Sequence, residues 1–135
     1  MVVDAYGIVH VAWYRGSNPA ADVYYSRSLN GTAFSPPLDL SDQAAVNYAP
    51  RLASDSNGRV HITYTVWSGT PCRTASIYYR APDDGVNFSP PVNVSGTTVE
   101  GHEHYESQIA VDESGGVNVV WKYWNNIDSH GGVFL

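Results

Sequence analysis

Apolar and polar side chains alternate one by one along several short stretches of this chain. The clearest alternation covers 60–66, and similar stretches cover 8–13 and 116–121. A period of two places successive side chains on opposite faces of a β-strand, and no segment shows the 3.6-residue apolar period of a helix. The pattern therefore predicts an all-β protein.

A repeat organises these strands. Each alternating stretch follows an Asp-x-x-Gly turn, and the turns begin at Asp4, Asp55 and Asp112, which places them 51 and 57 residues apart. The unit around the second turn predicts strand A over 50–54, strand B over 60–66, strand C over 77–80 and strand D over 88–94. Four-stranded antiparallel units at this period are typical of β-propeller blades.

The repeat predicts about two and a half blades. We expect a partial blade over 1–47 that lacks most of strand A, a complete blade over 48–104, and a partial blade over 105–135 with strands A, B and the start of C. Because propellers close with about four to eight blades, the chain is expected to be a fragment that pairs with further blades or closes by self-association. Proline pairs at 36–37 and 90–91 favour strand D as the outer edge.

Composition excludes several classes of function. The net charge is −6, and the seven Lys and Arg residues form no cluster, so a nucleic-acid partner is not expected. No apolar run reaches the roughly 18 residues of a membrane span. Cys72 is the single cysteine, which leaves no internal disulfide or cysteine-based metal site. No cofactor is predicted.

A second turn motif lies between strands C and D. Residues 28–34 (SLNGTAF) and 81–88 (APDDGVNF) resemble the Asp-box, Ser-x-Asp-x-Gly-x-Thr-Trp/Phe, of the sialidase-like β-propeller family. The matching positions are Asn30, Gly31, Phe34, Asp83, Gly85 and Phe88. An Asp or Asn at this position accepts backbone N–H bonds, so we expect these residues to be structural. The resemblance implies a sialidase-like propeller segment from an exported protein, secreted, periplasmic or at the cell surface.

The strand order sorts the loops onto two faces. The A–B and C–D turns share one face, and the resemblance implies that the other face, with the B–C and D–A loops, holds the ligand. Aromatic rings and amides on that face suit a sugar, because rings stack on its C–H groups and amides bond its hydroxyls. The predicted ligand-binding residues are Trp67, Arg73, His102, His104, Tyr123, Trp124 and Asn125. The alternative is that these rings only pack neighbouring blades.

Two sets of histidines have different expected roles. In an extended strand, His102, His104 and Glu106 share one side, where they could ligate Zn²⁺. Without a distant third ligand we predict a polar loop there and no metal site. His10 and His61 occupy equivalent positions in strand B, which predicts one structural hydrogen bond repeated in each blade.

The resemblance also implies a possible hydrolase. Sialidases use a Tyr nucleophile, a Glu that activates it, an Asp acid/base and three Arg that clamp a carboxylate. Candidates here are Arg51, Glu103, Tyr105 and Glu106, although Gln108 replaces the Arg in the next repeat. We therefore predict a glycan-recognition or binding scaffold, for a carbohydrate or glycoprotein, without its own complete active site. The alternatives are part of a sialidase-type exo-glycosidase and a protein-binding propeller.

Overall fold

A computed structural model describes residues 1–17, 20–41, 45–69, 74–82, 87–96 and 99–135. These residues form strands and no helix, and so none of them forms a helix able to cross a membrane. The strands are β1 (Val2–Val3), β2 (Val9–Ser17), β3 (Ala20–Ser28), β4 (Leu38–Asp39), β5 (Val46–Ser54), β6 (Val60–Ser68), β7 (Thr74–Arg80), β8 (Val92–Asn93), β9 (His102–Val111), β10 (Val117–Asn125) and β11 (His130–Phe134).

The strands form three successive blades. The order along the sheet is β1-β2-β3-β5-β6-β7-β9-β10-β11, with β4 on β3 and β8 on β7. All neighbours are antiparallel except β3–β5 and β7–β9, which touch in parallel through single pairs. Each parallel contact separates one antiparallel meander from the next, so blade 1 is β1–β4, blade 2 is β5–β8 and blade 3 is β9–β11. The protein is thus an all-β propeller segment, as the repeat predicts.

The observed strands refine the predicted elements. Strands A, B and C of the complete blade correspond to β5, β6 and β7. Strand D, predicted over 88–94, is reduced to the two residues of β8 and a bridge between Pro82 and Phe88. The proline pair at 90–91 explains the shortening, because proline lacks the N–H that a ladder requires. The predicted blade limits at 47/48 and 104/105 stay predictions, with β5 and β9 beginning at Val46 and His102.

The core lies in the seam between blades 1 and 2. The side chains of Ile62 and Tyr64 on β6 pack with those of Val23 and Tyr25 on β3, and each of the four is at most 6% exposed. Burying an apolar side chain of this size stabilises a fold by about 1.5–3 kcal/mol. Thr63 points to the opposite face of β6, and its Oγ1 lies 3.0 Å from the hydroxyl of Ser107 on β9. Alternate residues of β6 therefore pack against different blades.

The two long edges of the blades differ in chemistry. We call the edge with the A–B turns at 4–7, 55–58 and 112–115 the turn rim. The opposite edge, with residues 14–17, 46–48, 67–69, 99–105 and 123–130, is the loop rim. The topology places these groups at opposite ends of the strands.

A hydrogen-bond network joins the turn rim of blade 1 to the middle of the blade. The Asp4 carboxylate accepts the backbone N–H groups of Tyr6 and Ile8, each at 2.9 Å. Its second oxygen lies 3.2 Å from Nε2 of His10, whose Nδ1 lies 2.6 Å from the Tyr25 hydroxyl. The turn, strand B and strand C are therefore held by one buried polar chain.

Blade 2 repeats this network except for the hydrogen bond between histidine and carboxylate. Nδ1 of His61 lies 2.7 Å from the Tyr79 hydroxyl, and its Nε2 lies 3.7 Å from Oδ2 of Asp55. Both histidines of the repeat thus make the predicted structural hydrogen bond. In blade 3 an asparagine, Asn118, stands at the equivalent position, and its amide donates to the backbone of Gly116 within the turn instead.

Burial lowers the pKa of His61 below its ordinary value of 6.5, with Asp55 acting in the opposite direction and Arg59 in the same direction. The folded protein therefore holds this imidazole neutral more firmly than the unfolded chain does. Because the unfolded chain binds the proton first, the free energy of unfolding is expected to fall as the pH drops below about 6.5.

We expect His61→Asn, which copies the residue that blade 3 uses, to lower the free energy of unfolding by about 1–2 kcal/mol through loss of the Tyr79 hydrogen bond. Urea unfolding at pH 7.5 and pH 5.5 should also show that the free energy of unfolding decreases less between these two pH values in the variant than in the wild type. His130→Asn is the control, because that side chain is 81% exposed. An unchanged pH dependence in His61→Asn would contradict the role assigned to burial.

Candidate functional site

One row of paired residues crosses the loop rim from blade 2 to blade 3. The register joins Val46, Trp67, Ala75, Glu103, Trp124 and Gly131 across six neighbouring strands. We call this series the rim row. It brings two tryptophans and one carboxylate, all predicted from the sequence as candidates, onto a single line of the sheet.

A β-bulge lies beside the rim row in each inner strand. Between Tyr48 and Arg51 the register of β5 shifts by one residue, and Ala49 has a φ of 53°. In β9 the equivalent residue, Glu106, has a φ of 52°. Non-glycine residues adopt such angles uncommonly, and a bulge changes the direction of the side chains that follow it. The repeated bulge therefore sets which side chains point to which face.

An aromatic cluster occupies the loop rim at blades 1 and 2. The rings of Tyr48 and Trp67 are stacked with centroids 6.2 Å apart, and the indole N–H of Trp67 donates to the Tyr48 hydroxyl. Tyr14, which is 55% exposed, meets the Tyr48 ring edge-on at 6.4 Å. Burial raises the pKa of Tyr48, the Trp67 hydrogen bond opposes this, and the charges of Glu103 and Glu106 raise it further. The cluster thus lies within electrostatic reach of the blade 3 carboxylates.

The indole of Trp124 lies against the backbone of Gly131. A Cβ atom placed on Gly131 would fall 2.7 Å from Cε3 of the ring, so only glycine leaves room for it there. The Trp124 side chain remains 37% exposed. Its cross-strand neighbour Glu103 accepts a 2.6 Å hydrogen bond from the side-chain amide of Asn126. An exposed ring therefore lies beside an ordered carboxylate–amide pair.

The two loops of blade 3 at this rim are joined to each other. The backbone N–H of Asn126 donates to the carbonyl of Gly101 at 2.8 Å, and a Cβ on Gly101 would meet the Ile127 side chain at 2.9 Å. Asn125, a predicted ligand residue, uses its side-chain oxygen to accept the Ile127 N–H. Asn125 thus closes the turn, while Asn126 points to Glu103.

The predicted ligand residues His102 and His104 contact aromatic side chains of β10. Nδ1 of His104 accepts the indole N–H of Trp121 at 2.8 Å, and His104 is 6% exposed. Nδ1 of His102 lies 3.1 Å from the hydroxyl of Tyr123. Burial, followed by the nearby His102, lowers the pKa of His104. These contacts are typical of packing residues. Direct ligand contact by His102, His104 and Tyr123 stays a prediction.

The repeat supports a packing role for His104. Asn47 occupies the equivalent position 57 residues earlier and is 1% exposed. Its amide donates to the carbonyls of Ala21, in blade 1, and Ala45. The equivalent position is therefore a buried polar one in both blades, and in blade 2 it joins an inner strand to the preceding blade.

Glu106 does not join the two histidines. The bulge interrupts the extended alternation that would place it with His102 and His104, and its carboxylate pairs with Lys122 instead. Among the described ranges no group of three His, Cys, Asp or Glu side chains is arranged to hold a metal ion.

The candidate catalytic residues do not form a nucleophile–base pair. Within the described residues, the Tyr105 hydroxyl makes no hydrogen bond to Glu103 or Glu106, whose carboxylates bind Asn126 and Lys122. The half-buried Arg51 donates through Nη1 to the neighbouring Pro50 carbonyl at 3.1 Å.

The first Asp-box-like turn has the expected local geometry. Oδ1 of Asn30 accepts the backbone N–H groups of Thr32 and Ala33, each at 3.0 Å, and the hydroxyl of Ser28 at 3.2 Å. Gly31 follows with a φ of 74°. Asn30 thus satisfies backbone donors within its own turn.

The aromatic residues of the two motifs have different surroundings. Phe88 packs edge-on against Tyr25 of the preceding blade with centroids 4.9 Å apart, whereas Phe34 is 47% exposed. The predicted Asp-box residues Asp83 and Gly85, and the predicted ligand residue Arg73, lie outside the described residues.

Sequence reasoning placed Tyr14, Tyr48 and Asn126 in the ligand-side loops but did not include them among the predicted ligand-binding residues. For Tyr48 the repeat was the signal that could have indicated a place in the site, because Tyr48 precedes Tyr105 by the same 57 residues that separate Trp67 from Trp124.

Comparison with known proteins finds a solved structure that is similar at low sequence identity. No protein-family model and no curated protein matches the chain. The high-resolution structure of Penicillium chrysogenum alpha-L-arabinanase complexed with arabinobiose is similar at 16% sequence identity with a TM-score of 0.45. The match covers 87% of this chain and 40% of that chain, so this chain spans about two-fifths of that protein. The blade topology described above defines the class, a β-propeller segment.

Gly131→Ala is expected to displace the Trp124 ring, since the added Cβ would lie 2.7 Å from Cε3. The indole N–H resonance of Trp124 in a ¹⁵N–¹H spectrum should shift. Gly132→Ala is the matched control, because its Cβ would meet only Phe134 at an ordinary 3.8 Å. Equal shifts of the Trp124 resonance in both variants would show that the ring does not depend on Gly131.

Proposed function

We propose that this propeller segment recognises carbohydrate at its loop rim. The observation that supports the proposal is the Trp124 indole, which lies close to Gly131, is 37% exposed and adjoins the Glu103–Asn126 pair. Gly131 leaves room for the ring, and its exposed part is available to a ligand.

The chemistry of this arrangement suits a sugar. The C–H groups of a pyranose or furanose ring pack on an indole face, and the hydroxyls at its edge exchange hydrogen bonds with carboxylate and amide groups. The hydrogen bond from Asn126 orders the Glu103 carboxylate before a ligand arrives. Side chains ordered in this way lose less conformational entropy on binding.

The resemblance to Asp-box propellers is part of this proposal. The hydrogen bonds of Asn30 within its turn support a structural Asp-box at the turn rim. In the proposed arrangement the turn rim maintains the blades, the loop rim binds glycan, and further blades or further copies complete the ring. An exported protein that meets extracellular glycans fits this role.

A sialidase-type exo-glycosidase is the second candidate. Arg51 favours it, since this half-buried guanidinium on an inner strand has no carboxylate partner among the described residues and could bind an acidic sugar. The lack of a Tyr105–Glu hydrogen bond is the contrary observation. Turnover of a fluorogenic sialoside by the chain, abolished in Arg51→Ala, would establish the hydrolase in place of the lectin.

Trp124→Ala is expected to lower the affinity for a bound oligosaccharide by about tenfold or more, because the ring contact is lost. The measurement is an NMR titration of the chain with cellotetraose, xylotetraose, arabinotetraose and sialyllactose. Tyr6→Ala removes an aromatic ring, 72% exposed, from the opposite rim and should leave the affinity unchanged. Equal losses in the two variants, or no binding by the wild type, would overturn the proposal.

A further inference from the structure

A tyrosine and a tryptophan recur at equivalent positions of the loop rim in blades 2 and 3. Tyr48 lies on β5 and Trp67 at the end of β6, while Tyr105 lies on β9 and Trp124 at the end of β10. The spacing from Tyr to Trp is 19 residues in both blades.

The rim row links the two tryptophans in space. Trp67 pairs with Ala75, Ala75 with Glu103, and Glu103 with Trp124. Three strand spacings therefore separate the tryptophans, which is roughly 14 Å at about 4.8 Å per spacing. One sugar ring cannot contact both indoles over this separation, whereas a chain of several sugars can.

The ring in blade 2 is held in place before any ligand binds. The Tyr48 ring stacks on Trp67 and its hydroxyl accepts the indole N–H, so the pair is a rigid unit. Tyr14, 55% exposed and edge-on to Tyr48, continues the aromatic surface toward blade 1. The aromatic surface is thus elongated along the rim.

One negative charge lies within the rim row. Glu103 lies between the two tryptophans in the rim row, and the exposed Glu106 is paired with Lys122, the single lysine of the chain. The whole chain carries a net charge of −6. A polymer of acidic sugars would bring like charges close to Glu103, which costs free energy, while neutral hydroxyls can donate to it.

We propose that Trp67, stacked on Tyr48, and Trp124 bind an internal segment of an uncharged linear polysaccharide that lies along the rim row across blades 2 and 3. This inference rests on the proposed glycan recognition and specifies its ligand class. It differs from recognition of one terminal sugar, which needs only one of the two tryptophans.

The test measures affinity against chain length. Isothermal titration calorimetry of the whole chain with cello-, xylo- and arabino-oligosaccharides of two and six sugars is expected to show about tenfold tighter binding of the longer member of the bound series. Trp67→Ala should remove most of this gain while leaving the disaccharide affinity, supplied by Trp124, unchanged. Trp67→Phe, which keeps a ring for stacking, should retain most of the gain, and a ¹⁵N–¹H spectrum of each variant verifies folding.

A charged probe tests the ligand class separately. A hexamer of galacturonic acid should bind at least tenfold more weakly than the neutral hexamer, and Glu103→Gln should reduce this difference. Equal binding of the acidic and neutral hexamers would overturn the uncharged class.

The outcomes distinguish this inference from the proposed function. Binding that is independent of length and insensitive to Trp67→Ala would overturn the polysaccharide inference and leave glycan recognition at Trp124 intact. Absence of binding by every oligosaccharide would overturn both.

Discussion

Burial of both faces of an inner blade is the constraint on which the rest of this structure depends. Strand β6 presents Ile62 and Tyr64 to blade 1 and Thr63 to blade 3, and all three are at most 2% exposed. A strand covered on both faces tolerates no slip of register, because a shift by one residue would exchange its apolar and polar sides. The fixed register of β6 in turn determines where Trp67 stands at the loop rim.

The two rims use polar groups for different purposes. At the turn rim, carboxylates such as Asp4 are hydrogen-bonded to backbone N–H groups and to a buried histidine. At the loop rim, Glu103 receives one amide hydrogen bond and lies beside exposed aromatic rings. Saturated carboxylates stabilise the blades, whereas a carboxylate with remaining acceptor capacity can bond a ligand. This difference supports the loop rim as the functional edge.

Much of the fold followed from local pattern, and the exceptions have local causes. The structural role of His61 was predictable, because the same residue recurs at the same strand position as His10 and both bond a tyrosine. The position of Glu106 was not predictable, because a positive φ at a non-glycine residue does not change the alternation of apolar and polar residues in the sequence. The pairing of Tyr48 with Trp67 required knowing that strands A and B end at the same rim.

The sequence by itself determined the all-β class, the blade repeat and the turns, because alternation and glycine placement act over a few neighbouring residues. Only the tertiary structure decided that Ala75 meets Glu103, since that parallel contact joins strands separated by a loop and depends on how two blades pack. Through that one contact Trp67 and Trp124 lie on one row. The candidate site is therefore a product of packing between blades, which no single stretch of the chain encodes.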